Sequence, residues 1–350
     1  MKIKQIPSDF VVEEIPLIRL KKKGDYSIYI LKKTNMDLIA AKKTIARKFK
    51  TQPKYISYAG IKDKIAVTSQ YISIKTDRGS RGNFQLENIS LEHIGYYDRH
   101  LKSGDLRGNK FIIKLRDLNE EDIKIIKSNL EQIKKIGIPN YFDSQRFGED
   151  LSTGGFIAKR LMKDDYEAAL RLYLASKNNK SEEINSAHNF IHKNWKKWKK
   201  INDFLHESEK LHEEKKLIGI LLKRPEDYVS AFKTINPIKK GLLISAYQSF
   251  LWNKCVLLLL KNKIPELIEI NYLAGKQLFY KKLTKIQLEY LKSKEIPMLD
   301  SKTKSQDKDV SEIISKVLEK ENINQNELNI KKMRNLFFRE RKRSLLMFPE

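Results

Sequence analysis

The hydrophobic period of this chain changes once, near Gly155. Before that point apolar residues recur mainly at every second position, in short runs broken by turn residues, as in half-buried strands. Beyond it the spacing is mostly helical and rich in lysine, as far as about residue 335. Strand patterns fall at 3–15, 26–31, 55–58, 67–74, 89–97 and 110–116. In the last of these Phe111, Ile113 and Leu115 face away from Ile112, Lys114 and Arg116. One helix is expected over 36–50, capped by Asn35, with Leu38, Ala41, Ile45 and Phe49 on one face. A second is expected over 120–135. Strands and helices do not alternate strictly, which argues against a parallel βαβ sheet. The first part is expected to be an α+β domain with a mixed, largely antiparallel sheet. In the second part the clearest helices are 164–175 and 240–261, and strand-like content is confined to stretches such as 216–222. Residues 77–83 read as a basic turn and 301–308 as a polar mobile loop. The expected division is 1–155, then a mainly helical 156–335, then a short return over 336–350.

Composition narrows the partners. Lys and Arg number 70 against 44 Asp and Glu, a net charge of +26. So basic a balance fits a polyanionic partner, nucleic acid ahead of membrane. Cys255 is the sole cysteine, which excludes a disulfide framework or a cysteine zinc site within one chain. His188 and His192 are spaced i,i+4 but have no third ligand in sequence, so they read as surface histidines and no metal is expected. The chain runs from Met-Lys-Ile-Lys straight into a strand pattern, with no signal peptide visible. Its longest apolar run, 255–260, is bounded by Lys254 and Lys261 and falls far short of a membrane span. A cytoplasmic protein, with no membrane association and no evident obligate protein partner, is expected.

The string Tyr58-Ala59-Gly60-Ile61-Lys62-Asp63-Lys64-Ile65-Ala66-Val67-Thr68-Ser69-Gln70 sets a carboxylate between two lysines, after a glycine turn and at the mouth of a strand. Flanking cations favour the ionised carboxylate. Taken alone, such a turn is most often solvated and weakly paired. The whole string, however, resembles the catalytic motif of the TruD family of tRNA pseudouridine synthases. Further segments match in the same order: Pro7-Ser8-Asp9-Phe10-Val11-Val12-Glu13-Glu14 with Lys4 ahead of it; Leu106-Arg107-Gly108-Asn109-Lys110-Phe111; Gly137 to Gly148, which includes Asn140-Tyr141-Phe142 and Gln145-Arg146; Ala246 to Asn253; and Arg341 to Pro349.

The resemblance implies a cofactor-independent isomerase acting on tRNA, at uridine 13 in the D arm, with a helical insertion in its catalytic domain. It implies Asp63 as the catalytic carboxylate and Phe10, Asn140 and Phe142 as contacts to an extruded base. Asn140 carries a donor group and an acceptor, as a uracil edge requires. Lys4 is carried over with the first motif. Lys62 and Lys64 are placed to hold the Asp63 charge or a phosphate, and Arg146 to support the pocket or a phosphate. Without the resemblance, Asn140 reads as a turn residue and the two phenylalanines as core. Trp195 and Trp198, among five lysines, read as anchors of a lysine-coated helix, with a base-stacking platform as the alternative. Family members continue beyond the Phe-Pro element with a segment that lines the active site, and no counterpart is found here. The alternatives are therefore a truncated, inactive synthase or a basic RNA-binding protein without chemistry. A metal-dependent RNA hydrolase ranks last, because no acidic cluster surrounds Asp63 in sequence.

Overall fold

The computed structural model describes the chain except for residues 79–81, 103, 149–150, 152–154, 176–181, 209, 334–335, 337, 340 and 350. Residues 79–81 of the expected basic turn thus lie outside the described residues. Two compact units are formed, Met1–Lys127 and Ser128–Glu350.

The first unit holds strands β1 (Phe10–Pro16), β2 (Tyr26–Thr34), β3 (Ile56–Tyr58), β4 (Val67–Lys75), β5 (Phe84–Leu86), β6 (Ile89–Tyr97) and β7 (Leu106–Ile113), with helix α1 (Leu38–Lys48) after β2. The sheet order is β5-β6-β2-β4-β1-β7. β1 and β4 run parallel, and every other pair is antiparallel. Beyond β2, β4 is shared: its start pairs with β1 (Val11 opposite Val67) and its end with β3 (Ile56 opposite Ile74). The loop from β3 to β4, which carries Asp63, therefore returns to the end of the sheet where β1 begins.

Strand alternation divides one face of this sheet in two. Residues paired in register point the same way, so Tyr29, Leu31 and Lys33 share a face with Ile72, Gln70 and Thr68, and with Val12 and Glu14. The apolar end packs against Leu38, Ala41, Ile45 and Ala46 of α1. At the other end Lys33, Thr68, Gln70 and Glu14 are all buried polar residues. The cap of α1 is Asp37, which accepts from Ala40 N–H at 2.8 Å, and not Asn35 as expected. Asn35 takes a left-handed conformation, φ 49°, in the turn before it.

Helix α2 (Glu120–Ile136) follows, then β8 (Ile138–Pro139), α3 (Ile157–Met162), α4 (Tyr166–Ala175), α5 (Glu182–Lys193), α6 (Trp198–His206), α7 (His212–Lys223), α8 (Tyr228–Lys233) and α9 (Pro237–Lys263). After these come β9 (Ile268–Tyr272), β10 (Gly275–Phe279), α10 (Lys285–Lys292), β11 (Glu295–Met298), α11 (Lys308–Lys320), β12 (Arg341–Ser344) and β13 (Leu346–Met347). Three small antiparallel pairs, β9–β10, β11–β12 and β8–β13, border the helices. Texture changes at 155, but packing divides at 127/128, because Ile136, Tyr141 and Phe142 lie against the helical core.

Central to that core is α9, which buries Tyr247, Leu251, Trp252, Cys255, Val256 and Leu259. Its 27 residues could cross a bilayer by length, but 67% of its most apolar window is buried inside the protein, as in a core helix. Four expectations for this unit change. Residues 216–222 are helical, within α7, with Leu217, Ile218 and Leu221 buried at helical spacing. His188 is not at the surface: it is 3% exposed, with Nε2 2.9 Å from Glu214 Oε1. Trp195 and Trp198 do not share a helix, since a turn separates α5 from α6, yet their rings meet edge to face. Each indole N–H is satisfied internally, by Glu167 and by the Pro225 carbonyl, which makes both of them anchors. The polar stretch 301–308 is pinned: Asp300 N–H donates to Thr303 Oγ1 at 2.8 Å, and Asp307 caps α11.

Candidate active site

The Asp63 loop is held from beneath by buried cations. Lys33, 1% exposed, donates from Nζ to the Asp63 carbonyl at 2.8 Å and to the Met36 carbonyl at 2.7 Å. Burial lowers its pKa, against the charges of Asp37 and Asp63, which raise it. Lys62 turns inward, and its Nζ sits 2.6 Å from Glu14 Oε2, with both side chains almost fully buried. Gln70 Nε2 donates to the Gly60 carbonyl at 3.2 Å. A Cβ at Gly60 would approach Leu106 and the Lys62 ammonium to 3.3 and 3.4 Å, so the turn leaves little room for a larger residue.

These contacts leave the Asp63 carboxylate partly exposed, at 32% of its side chain. Lys4 Nζ lies 3.6 Å from Asp63 Oδ1 and also 3.6 Å above the centre of the Phe10 ring. Lys4 reaches both from a left-handed backbone, φ 56°. Phe10 in turn meets Phe111 across the β1–β7 ladder, with ring centroids 5.9 Å apart. The element just ahead of Phe10 is anchored by Asp9, whose carboxylate accepts two bonds from Arg116 at 2.8 Å. That guanidinium holds the Asp9 carboxyl below its usual range.

Of the residues expected in this unit, Lys4, Phe10 and Asp63 are brought together. Lys62, expected beside the carboxylate or a phosphate, is committed to Glu14. Lys64 is exposed to solvent. Sequence reasoning missed Lys33, whose signal was a charge on the face that Tyr29 and Leu31 line, and the partner of Glu14, for which sequence carries no signal.

In the second unit Asn140, Phe142 and Arg146 meet around α9 and β12. Asn253 of α9, 2% exposed, copies strand pairing with Phe142. Its Oδ1 accepts from Phe142 N–H at 2.9 Å, and its Nδ2 donates to the Phe142 carbonyl at 2.8 Å. The Phe142 ring lies edge-on to Trp252. Asn140 N–H donates to the Leu345 carbonyl, and Asn140 Nδ2 donates to Ser344 at 3.2 Å. Arg343 donates to the Asn140 carbonyl at 2.7 Å and to Asn140 Oδ1 at 2.5 Å. One amide hydrogen and one oxygen lone pair of Asn140 remain uncommitted among the described residues, enough for one base edge. Arg146 Nε donates to Ser249 Oγ at 3.0 Å. The pairing of Arg343 with Asn140 escaped sequence reasoning, because the two lie about two hundred residues apart along the chain.

Among the described residues no group of three or more His, Cys, Asp or Glu could hold a metal ion. The arrangement around Asp63 can present one carboxylate, an adjacent ammonium and an aromatic face to a nucleoside.

The tRNA pseudouridine synthase D (TruD) family matches residues 1–350. A "probable tRNA pseudouridine synthase D 2" of Methanocaldococcus jannaschii is 38% identical over 360 residues, covering 100% of this chain and 82% of its own length. A "probable tRNA pseudouridine synthase D 1" of Methanococcus maripaludis is 33% identical over 329 residues, covering 92% and 83%. A crystal structure assigned to TruD from Methanosarcina mazei shares the fold, with a TM-score of 0.66 at 24% identity, over 99% of this chain and 84% of that one. Matched along its whole length, and more than a third identical to the M. jannaschii protein, the chain belongs to the tRNA pseudouridine synthase D family.

Proposed function

We propose that this protein isomerises uridine to pseudouridine in tRNA, at position 13, in the cytoplasm, with Asp63 as the catalytic carboxylate. The reaction breaks the N1–C1′ bond, turns the base and rejoins it through C5. Atoms and electrons are conserved, so the chemistry calls for no redox partner. An ionised carboxylate can start it as nucleophile or as base. The observation that carries this reading is the Asp63 loop itself. Its backbone is fixed by Lys33, Gln70 and the Lys62–Glu14 pair, while its carboxylate stays partly exposed beside Lys4 and the Phe10 ring. Such preorganisation is what a positioned reactive group requires. Phe10 in the first unit would stack on an extruded base, and Asn140 in the second would bond a base edge, while the Phe142 ring already carries the Arg343 and Arg146 guanidiniums. Lys4 would balance the charge of Asp63, Lys62 would hold the loop, and Lys64 would meet phosphate from the exposed side.

The test is pseudouridine formation in an unmodified tRNA transcript. Wild type should give product at position 13. Asp63→Asn should bind the same transcript with unchanged affinity and give at least about a thousandfold less product, the scale on which loss of a covalent catalyst is felt. Near-normal turnover by Asp63→Asn would show that another group carries the chemistry. Binding without product by the wild-type chain would favour an RNA-binding protein.

A further inference from the structure

The partly buried arginines of the first unit are neutralised. Arg116 is paired bidentately with Asp9, and Arg99 with Asp105, all at 2.7–2.8 Å. In the second unit the partly buried Arg343 departs from this, together with the more exposed Arg146 beside it. Arg343 lies with Cζ 4.1 Å from the centre of the Phe142 ring and 5.0 Å from that of Trp252. Arg146 lies with Cζ 5.2 Å from the same Phe142 ring. Neither forms an ion pair with a carboxylate among the described residues. Their protein partners are neutral: Asn140 for Arg343 and Ser249 for Arg146. Burial, and then the nearby Arg146 charge, push the Arg343 pKa down. Arg341 lies two residues before Arg343 on β12, so strand alternation puts it on the same face.

Each guanidinium carries five donors. Arg146 commits only Nε, leaving its Nη1 and Nη2 end uncommitted, and Arg343 keeps Nη1. Two like charges held on one aromatic ring by neutral groups repel each other, and no carboxylate among the described residues pairs with either of them. An anion with several acceptor oxygens would offset the repulsion and match the donor forks. The ring faces and Asn140 fix the guanidiniums in advance, so little side-chain freedom remains to be lost on binding.

The geometry points to a phosphate-binding site in which Arg146 and Arg343, both seated on Phe142, grip a single backbone phosphate of the RNA substrate. This deepens the proposed function and rests on RNA being the substrate. One phosphate shared by two arginines has a particular signature. Each phosphate contact contributes a slope of about 0.7–0.9 to the salt dependence of log Kd. Either change alone removes the grip, and the second change then has nothing left to remove.

The experiment is tRNA binding by wild type, Arg146→Gln, Arg343→Gln, the double variant and Arg343→Lys, from about 50 to 300 mM salt. Each Gln variant should lower the slope by about 0.7–0.9, and the double variant by the same amount. Arg343→Lys, a point charge, should keep most of the slope. Unchanged slopes, or a double variant that loses twice as much as either single one, would overturn the shared site. Arg146 is exposed, so Arg146→Gln reports even if Arg343→Gln fails to fold. Inorganic phosphate separates the site from the reading beneath it. It should raise the melting temperature of wild type above that in chloride of equal ionic strength, and not that of Arg146→Gln. Phosphate protection without tRNA binding would leave the site standing and remove RNA as its source. Equal melting in both salts would remove the site. Asp63→Asn should keep the wild-type slope, so a fault in the catalytic assignment shows separately.

Discussion

Lys33 is the least expected residue of the Asp63 site. An ammonium at 1% exposure, bonded to two backbone carbonyls, is costly to bury, and burial duly lowers its pKa. Its contact with the Asp63 carbonyl fixes the backbone of the loop. Lys33→Met is predicted to lower kcat about 10–100-fold, the scale of an ångström-sized misplacement of a reacting group. KM should change little, because Lys33 is buried beneath the loop and cannot touch RNA. Steady-state kinetics of a folded Lys33→Met protein check this, and a rise in KM at constant kcat would refute it. That the Asp63 loop lies between two strands was legible in sequence, because β3 and β4 keep their alternation on either side of it. Lys62 shows the limit of that legibility. Sequence sets it next to Asp63, but a strand-end loop can send neighbouring side chains in opposite directions, and here Lys62 folds down onto Glu14.

At the scale of elements, the alternating pattern located most strands, because their period survives burial on one face, but not all their ends: β1 begins at Phe10 where residue 3 was expected, and β7 spans 106–113 where 110–116 was expected. β6 spans 89–97 as expected, and β4 runs one residue past its expected end. The pattern failed where helical and strand periods are hard to tell apart over short apolar runs, as in 216–222. It could not show which strands pair. The parallel β1–β4 contact matters most, because it brings Glu14 from β1 beside Gln70 and under the loop that carries Lys62. This buried pair couples strand to loop. Glu14→Ala leaves the Lys62 ammonium buried alone and is predicted to cost about 3–5 kcal/mol. Glu14→Leu combined with Lys62→Met removes both charges and should cost clearly less. Urea unfolding of the single and double variants measures the coupling. Equal losses in both would mean that the pair does not tie β1 to the loop.

Across the whole molecule, the charge of +26 acts in two opposed ways. It draws a polyanion, as composition alone indicated, and it strains the compact state by self-repulsion. The structure describes carboxylate partners for many of the lysines, but most of these pairs are exposed and contribute little. Salt should therefore have opposite effects on fold and function. At about 0.5 M the Debye length is only a few ångströms, so repulsion between surface lysines is largely screened. Raising salt from about 50 mM to 0.5 M is thus predicted to raise the melting temperature of the free protein. Over the same range tRNA affinity should fall by several orders of magnitude, as released counterions cease to favour binding. Thermal melts and binding titrations in matched buffers test both halves. A melting temperature that falls with salt would mean that specific ion pairs outweigh the net repulsion. An affinity indifferent to salt would mean that the positive surface is not where the RNA lies.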